Sequence, residues 1–100
     1  MPFNQLTNAQ AERLALLSEE LGEAQQAVGK ILRHGYESRH PDGGPTNRES
    51  LERELGDVKA AIFLLTDADD LNSGNLAFNM LKKSDRVGQY MHHQQGQHDE

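Results

Sequence analysis

The 100-residue sequence contains no cysteine, only three prolines and only 5% aromatic residues. The absence of cysteine excludes disulfides, zinc–thiolate sites, iron–sulfur clusters and thiol catalysis. Basic residues are also few, because ten lysines and arginines stand against sixteen aspartates and glutamates, giving a net charge of −6. This balance argues against nonspecific binding of nucleic acid. The length and the 35% hydrophobic content predict one small domain with a modest core.

The chain also lacks any apolar run of the roughly 18–20 residues that a membrane-spanning helix requires. Its first residues, Met1 to Gln5, show no basic stretch followed by an apolar one, which is the pattern of a secretion signal. We therefore expect a cytoplasmic protein with neither a membrane nor a nucleic-acid partner. Two classes of function remain open, a small acidic enzyme subunit and a small acidic interaction module.

The spacing of apolar residues predicts an all-α chain of about three helices, since no segment alternates as a strand would. Two capping boxes mark helix starts. In the first, Thr7 is followed three residues later by Gln10, and in the second Thr46 is followed by Glu49. We place the helices at about residues 8–34, 47–66 and 73–91.

Apolar stripes with alternating steps of three and four residues run along the first two helices and predict bundle seams. These stripes are Leu14, Leu17, Leu21, Ala24, Val28 and Ile31, followed by Leu51, Leu55, Val58, Ile62 and Leu65. Helices of this length bury little core alone, so we expect a homo-oligomer, a dimer or a tetramer. Residues 1–91 are predicted to form the helical domain, and the apolar-free residues 92–100 a disordered tail.

Acidic pairs three residues apart are common in a chain with sixteen carboxylates, and four such pairs occur here. Two of them share their interior, because residues 20–23 read E-L-G-E and residues 54–57 read E-L-G-D. Each interior glycine stands in mid-helix, where it costs about 1 kcal/mol relative to alanine. Two such glycines at matching places indicate a need for close approach of another backbone.

Helical geometry places both acidic pairs beside the apolar stripes. At 100° per residue, Glu20 lies about 80° and Glu23 about 140° from the centre of the first stripe. Glu54 lies about 60° and Asp57 about 120° from the centre of the second, rotated in the same sense. An antiparallel helix pair would bring all four carboxylates to one patch. Four such charges repel strongly without cations, and ligands that are all oxygen favour Mg²⁺ or Mn²⁺ over zinc.

Other interpretations of these acids stay open at this point. Carboxylates at this spacing also solvate exposed helix faces without binding anything. A di-iron carboxylate bundle would need Glu-x-x-His inside helices. The one instance of that motif, from Glu37 to His40, falls in the Pro- and Gly-rich loop 35–46, so we set this alternative aside.

Four segments carry a resemblance to a known family. They read S-E-E-L-G-E at 18–23, R-E-L-G-D at 53–57, G-Y-E-S-R-H-P-D-G-G-P-T-N at 35–47 and K-S-D-R-V-G-Q-Y-M-H-H at 83–93. Over about residues 7–93 the chain resembles the MazG-like, all-α nucleoside triphosphate pyrophosphohydrolases, in particular their small phage-type members. The thirty residues between the two acidic pairs exceed the family's common gap, because the intervening loop is long.

The resemblance implies hydrolysis of a nucleoside triphosphate between its α- and β-phosphates, with dGTP and GTP as the narrower expectation. It implies that Glu20, Glu23, Glu54 and Asp57 bind two or more Mg²⁺ or Mn²⁺ ions. Glu20 and Glu54 would then act in catalysis. Glu19 would lie next to the metal ligands without binding the metal itself, or it would help to activate the attacking water.

Basic and aromatic residues would complete a substrate site of this kind. The candidates for substrate binding are Lys30, Arg33, Lys83, Arg86 and Tyr90. Lys30 and Arg33 equally suit the carbonyl end of a helix, and the other two basic residues equally suit a solvated surface. In the loop, Tyr36 is expected to pack on its own helix rather than to stack on a base. The competing function is a non-catalytic acidic helical adaptor, or a regulator that binds nucleotide without turnover.

Overall fold

The computed structural model describes residues 3–94, and every regular element in that range is helical. The elements are α1 (Asn8–His34), α2 (Asn47–Asp67), α3 (Ser73–Val87) and a short 3-10 turn (Gly88–Tyr90). The described residues form no strand, only an isolated antiparallel bridge between Arg39 and Thr46. The all-α prediction is confirmed. The third helix ends four residues before the predicted residue 91, because its last turn tightens into the 3-10 conformation at Gly88.

Both predicted capping boxes form. The Thr7 side chain accepts from the Gln10 N–H at 3.1 Å, and Gln10 Oε1 accepts from the Thr7 N–H at 2.9 Å. Thr46 and Glu49 exchange the same pair of bonds at 3.1 and 2.9 Å. At the other end of α1, Gly35 adopts a φ of +87°, a value that other residues rarely take. These local signals explain why the bounds of α1 and α2 were predictable.

The described residues up to Asp70 form one compact unit, and those from Leu71 onward form a second. In the first unit, α1 and α2 pack against each other as a hairpin. The hairpin is antiparallel, since Arg13 near the start of α1 binds Asp70 just beyond the end of α2. None of the helices within residues 3–94 combines the length and apolar character needed to cross a bilayer. The predicted tail 92–100 lies mostly outside the described residues and stays a prediction.

The hairpin buries only part of the two apolar stripes. Its buried apolar residues are Ala24, Val58 and Leu65 of the stripes, together with Ala27 and Ala61 beside them. Leu14, Leu21 and Val28 of the first stripe stay 41%, 50% and 42% exposed, and Leu55 of the second stays 45% exposed. We call these four residues the apolar strip. Within one chain the stripes therefore form only part of the seam, because the small alanines at one flank let the helices approach there.

The two glycines between the acids have open space around them. A Cβ built on Gly22 or on Gly56 meets no atom of the described residues within 4 Å. The expectation that these glycines permit close approach of another backbone is therefore wrong within the described chain.

We expect Gly22→Ala and Gly56→Ala each to stabilise the metal-free protein by about 1 kcal/mol, because alanine favours the helix and meets no atom of residues 3–94. Urea unfolding followed by circular dichroism measures this change. A loss of stability in either variant would show that another chain packs against the glycine.

Candidate metal centre

Four carboxylates meet where α1 and α2 face each other. Glu20 and Glu23 from α1, with Glu54 and Asp57 from α2, each offer one oxygen, and these oxygens all lie within 4.8 Å of one another. We call these residues the quartet. Ligands on opposite sides of a divalent cation bound at 2.0–2.6 Å lie about 4–5 Å apart. The predicted convergence is confirmed, and the quartet could hold a metal ion.

The four side chains of the quartet differ in burial. Glu20 and Glu54 are half-buried, whereas Glu23 and Asp57 are exposed. Oε2 of Glu20 and Oε2 of Glu54 are both closed off from solvent and accept no hydrogen bond. A buried carboxylate oxygen without a partner is costly, and a cation supplies such a partner. The donor set, made only of carboxylate oxygens, fits a hard divalent cation.

The rotation of the hairpin explains this burial. Since the helices meet at the flank of each stripe on which the acids lie, Glu20 and Glu54 enter the seam instead of standing beside it. Neighbours in the seam include Ala24 and Val58, one turn along each helix, which are buried. Apolar neighbours exclude the water that would otherwise solvate the carboxylates.

The negative charges of the quartet are close to one another and have little neutralising positive charge nearby. Partial burial, and then the charges of Asp57, Glu19 and Glu54, raise the pKa of Glu20. The charge of Glu20, followed by burial and the proximity of Glu54, raises the pKa of Glu23. Within residues 3–94, the one cation at ion-pair distance from the quartet is Arg53, whose guanidinium lies 3.4 Å from Glu54 Oε1 and is 65% exposed.

These shifts predict how the stability of the metal-free protein depends on pH. A carboxyl whose pKa is raised by folding destabilises the fold at high pH, and this penalty disappears as the pH falls towards its ordinary value of 4.5. Glu49 and Asp70, whose pKa values are lowered, contribute stability that is lost only in more acidic solution. In EDTA we therefore expect the Tm to fall as the pH rises from 5 to 8.

Glu20→Gln should raise the Tm of the metal-free protein at pH 8 and flatten this dependence, because the amide removes the repelling charge. Glu12→Gln, which removes an exposed carboxylate elsewhere on α1, should leave the slope unchanged. Differential scanning calorimetry across the pH range measures both. A large drop in Tm in Glu20→Gln would instead assign Glu20 a structural ion pair.

Three of the remaining candidate residues, Glu19, Lys30 and Arg33, lie on α1 in the first unit. Glu19 is exposed and does not belong to the converging oxygens, although its charge acts on Glu20 and Glu23. Lys30 and Arg33 lie on α1, beyond Glu23 in the direction of the loop.

Three further candidates for substrate binding belong to the second unit. Lys83 and Arg86 lie on α3, and Tyr90 ends the 3-10 turn. All three are exposed. Their roles stay predictions.

The loop 35–46 is tied firmly to the start of α2. The Asn47 N–H donates to the Ser38 carbonyl at 2.8 Å, and the Arg48 N–H donates to the Tyr36 carbonyl at 2.9 Å. The Arg48 guanidinium also lies 4.4 Å from the centre of the Tyr36 ring and binds Glu37 at 2.6 Å. Tyr36 thus contacts Arg48 at the start of α2. The opposite charges of Glu37 in the loop and Arg48 at the start of α2 were the available sequence signal.

A second contact that the sequence did not indicate closes the far end of the hairpin. Arg13 binds Asp70 in a bidentate pair at 2.6 and 3.1 Å, with side chains that are 26% and 14% exposed. This pair lowers the pKa of Asp70, chiefly through the hydrogen bonds from Arg13. It ties the first turns of α1 to the segment just beyond the end of α2.

Comparison of the chain with protein-family models, with curated proteins and with solved structures gave no match in any of the three.

Proposed function

We propose that the protein is a metal-dependent nucleoside triphosphate pyrophosphohydrolase, which converts its substrate into a nucleoside monophosphate and pyrophosphate. The observation that carries this proposal is the quartet, in which oxygens from two helices lie within 4.8 Å of one another. The two buried and unpartnered oxygens of Glu20 and Glu54 support a cation as the missing partner. The resemblance of residues 18–23 and 53–57 to MazG-like proteins supports the reaction class, with dGTP and GTP as first candidates.

The quartet would hold two or more Mg²⁺ or Mn²⁺ ions through its carboxylate oxygens. When bound, these cations would neutralise the triphosphate and lower the pKa of a water. Glu20 and Glu54, held in the seam, provide fixed ligand positions, and Glu23 and Asp57 provide ligands on the exposed side. Glu19, which is exposed, would support the metal ligands or help to activate the attacking water.

The reaction forms one bond and breaks one. Water oxygen attacks the α-phosphorus, and the bond from that phosphorus to the oxygen bridging the α- and β-phosphates breaks. The proton of the water passes to a carboxylate, and pyrophosphate leaves. Lys30 and Arg33, which lie on the same helix as Glu20 and Glu23, are proposed to contact the substrate.

We further propose that the protein is a homo-oligomer, a dimer or a tetramer, whose subunits cover the apolar strip. Five buried apolar residues in the described part of the chain make a small core, and leucines and a valine that are 41–50% exposed along two helices suit burial against a second copy.

A product assay tests the proposed activity. Incubation with a panel of ribo- and deoxyribonucleoside triphosphates, dGTP and GTP among them, should yield monophosphate and pyrophosphate when Mg²⁺ or Mn²⁺ is present. Glu54→Gln should lower the rate at least about 100-fold, because it removes a ligand charge from the seam. Glu52→Gln removes the same charge from an exposed position outside the quartet and should retain activity.

The same assay distinguishes the alternatives. Release of diphosphate and phosphate would show cleavage of a different bond and contradict the proposal. No turnover of any triphosphate with either metal would favour an acidic adaptor, or a regulator that binds nucleotide without hydrolysing it.

A further inference from the structure

Arg53 lies next to the quartet, on its exposed side. One of its guanidinium nitrogens lies 3.4 Å from Oε1 of Glu54, and the Arg53 side chain is 65% exposed. On α2, Arg53 precedes Asp57 by four residues, which places the two side chains about 40° apart around the helix. Arg53 therefore shares the side of α2 on which the exposed Asp57 borders the quartet.

The two carboxylate oxygens of Glu54 have different surroundings. Oε2 is closed off from solvent and accepts no hydrogen bond, whereas Oε1 accepts from Arg53. The Glu54 side chain as a whole is only 15% exposed. Because the seam closes off Oε2, a cation reaches Glu54 from the exposed side of the quartet, which Arg53 borders.

The contact between Arg53 and Glu54 is weak compared with a structural ion pair of the same protein. Arg13 binds Asp70 through two nitrogens, at 2.6 and 3.1 Å. Arg53 makes a single contact at 3.4 Å, which is longer than the 2.7–2.9 Å that is usual for a charge-assisted hydrogen bond. Exposed pairs of this kind contribute little to stability. A competing cation can therefore displace the guanidinium at small cost.

The charge of Arg53 has opposite effects on the metal-free and the metal-bound quartet. Within residues 3–94 it is the one cation at ion-pair distance from the four carboxylates. Without metal, its positive charge reduces the repulsion among them. With metal, the same charge repels the divalent ion a few ångströms away. The guanidinium and the metal thus compete for one set of negative charges.

We propose that Arg53 is the counter-ion of the metal-free quartet and sets its affinity for metal by competing with the divalent cation. Binding of the cation displaces the guanidinium from Glu54 into solvent, where most of the Arg53 side chain already lies. This competition weakens metal binding and makes the bound ion easier to exchange. The inference rests on the metal-binding part of the proposed function and not on the reaction.

Calorimetric titration with Mn²⁺ at physiological salt tests this role without substrate or turnover. Arg53→Gln should bind Mn²⁺ at least about fivefold more tightly than the wild type, because it removes a positive charge beside a divalent ion. Arg53→Lys keeps the charge and should stay closer to the wild type than to Arg53→Gln. Lys59→Gln removes an exposed cation about 140° around α2 from Glu54 and should bind as the wild type does, since salt screens distant charges.

Scanning calorimetry separates this role from a structural one. Arg53→Gln should lower the Tm in EDTA at pH 8, because the quartet loses its neutralising charge, and should enlarge the rise in Tm that Mn²⁺ causes. An ion pair that only stabilises the fold would lower the Tm equally with and without metal. An equal loss in both conditions would therefore contradict the proposal.

Each titration result decides one part of the account. Equal or weaker Mn²⁺ binding by folded Arg53→Gln would overturn the role of Arg53, as would an equal gain in Lys59→Gln, which would show a general effect of net charge. Absent Mn²⁺ binding by both the wild type and Arg53→Gln would overturn the metal centre and this inference together. Tighter binding by Arg53→Gln in a protein that hydrolyses no triphosphate would uphold the role of Arg53 and overturn the proposed reaction.

Discussion

Saturating Mg²⁺ or Mn²⁺ is expected to raise the Tm of the protein by roughly 10 °C or more. A ligand that binds only the folded state at 100 times its Kd adds about 2.7 kcal/mol of stability, and each kcal/mol shifts the Tm of a domain of this size by about 4–8 °C. The quartet provides the physical source, because a cation removes the repulsion among its carboxylates and partners the buried oxygens of Glu20 and Glu54. Differential scanning calorimetry with and without metal measures the shift.

A matched pair of variants assigns this shift to the quartet. Glu54→Gln should abolish most of the metal-induced rise in Tm, since it removes one ligand from the seam. Glu52→Gln lowers the negative charge by the same amount at an exposed position and should keep the full rise. Equal shifts in both variants would show that the cations bind elsewhere.

Leu14→Glu is expected to convert the proposed oligomer into monomers. Leu14 belongs to the apolar strip, where 41% of its surface is exposed in the single chain. A carboxylate buried at a subunit interface without a partner is strongly unfavourable, so one such change suffices to separate the subunits. Sedimentation velocity at several protein concentrations measures the change in mass.

Ala15→Glu is the control for this prediction. It adds the same charge one residue along α1 but about 100° around the helix, away from the apolar strip. It should leave the mass of the assembly unchanged. A wild-type protein that stays monomeric at every concentration, or an oligomer that survives Leu14→Glu, would contradict the proposal.

The sequence predicted the elements well where the determining interactions are local. Capping boxes involve residues three apart, and Gly35 terminates α1 through its own backbone conformation, so both signals can be read without knowing the fold. The convergence of the quartet was predictable for a related reason. It depends on the phase of two acidic pairs relative to two apolar stripes, and helical periodicity fixes that phase.

What the sequence did not predict depends on contacts between distant residues. The hairpin is rotated towards Ala24, Ala27 and Ala61, because helix approach depends on which side chains are small on both partners at once. The bidentate pair of Arg13 and Asp70 joins residues 57 positions apart and has no local pattern.

The sequence did not predict the cavity between the end of α1 and the loop 35–46, because that cavity also depends on contacts between distant residues. Lys30 and Arg33 were recognisable from their place on α1, but the other wall depends on how the loop is fastened to Asn47 and Arg48. Composition identified the loop as turn-forming without indicating which face it would enclose.

The most direct test of the central claim is an anomalous difference map from crystals grown or soaked in Mn²⁺. We predict Mn²⁺ peaks at coordinating distance from oxygens of Glu20, Glu23, Glu54 and Asp57, and no peak there in crystals of Glu54→Gln. A wild-type map with no peak among these four side chains at saturating Mn²⁺ would contradict the claim that they form a metal centre.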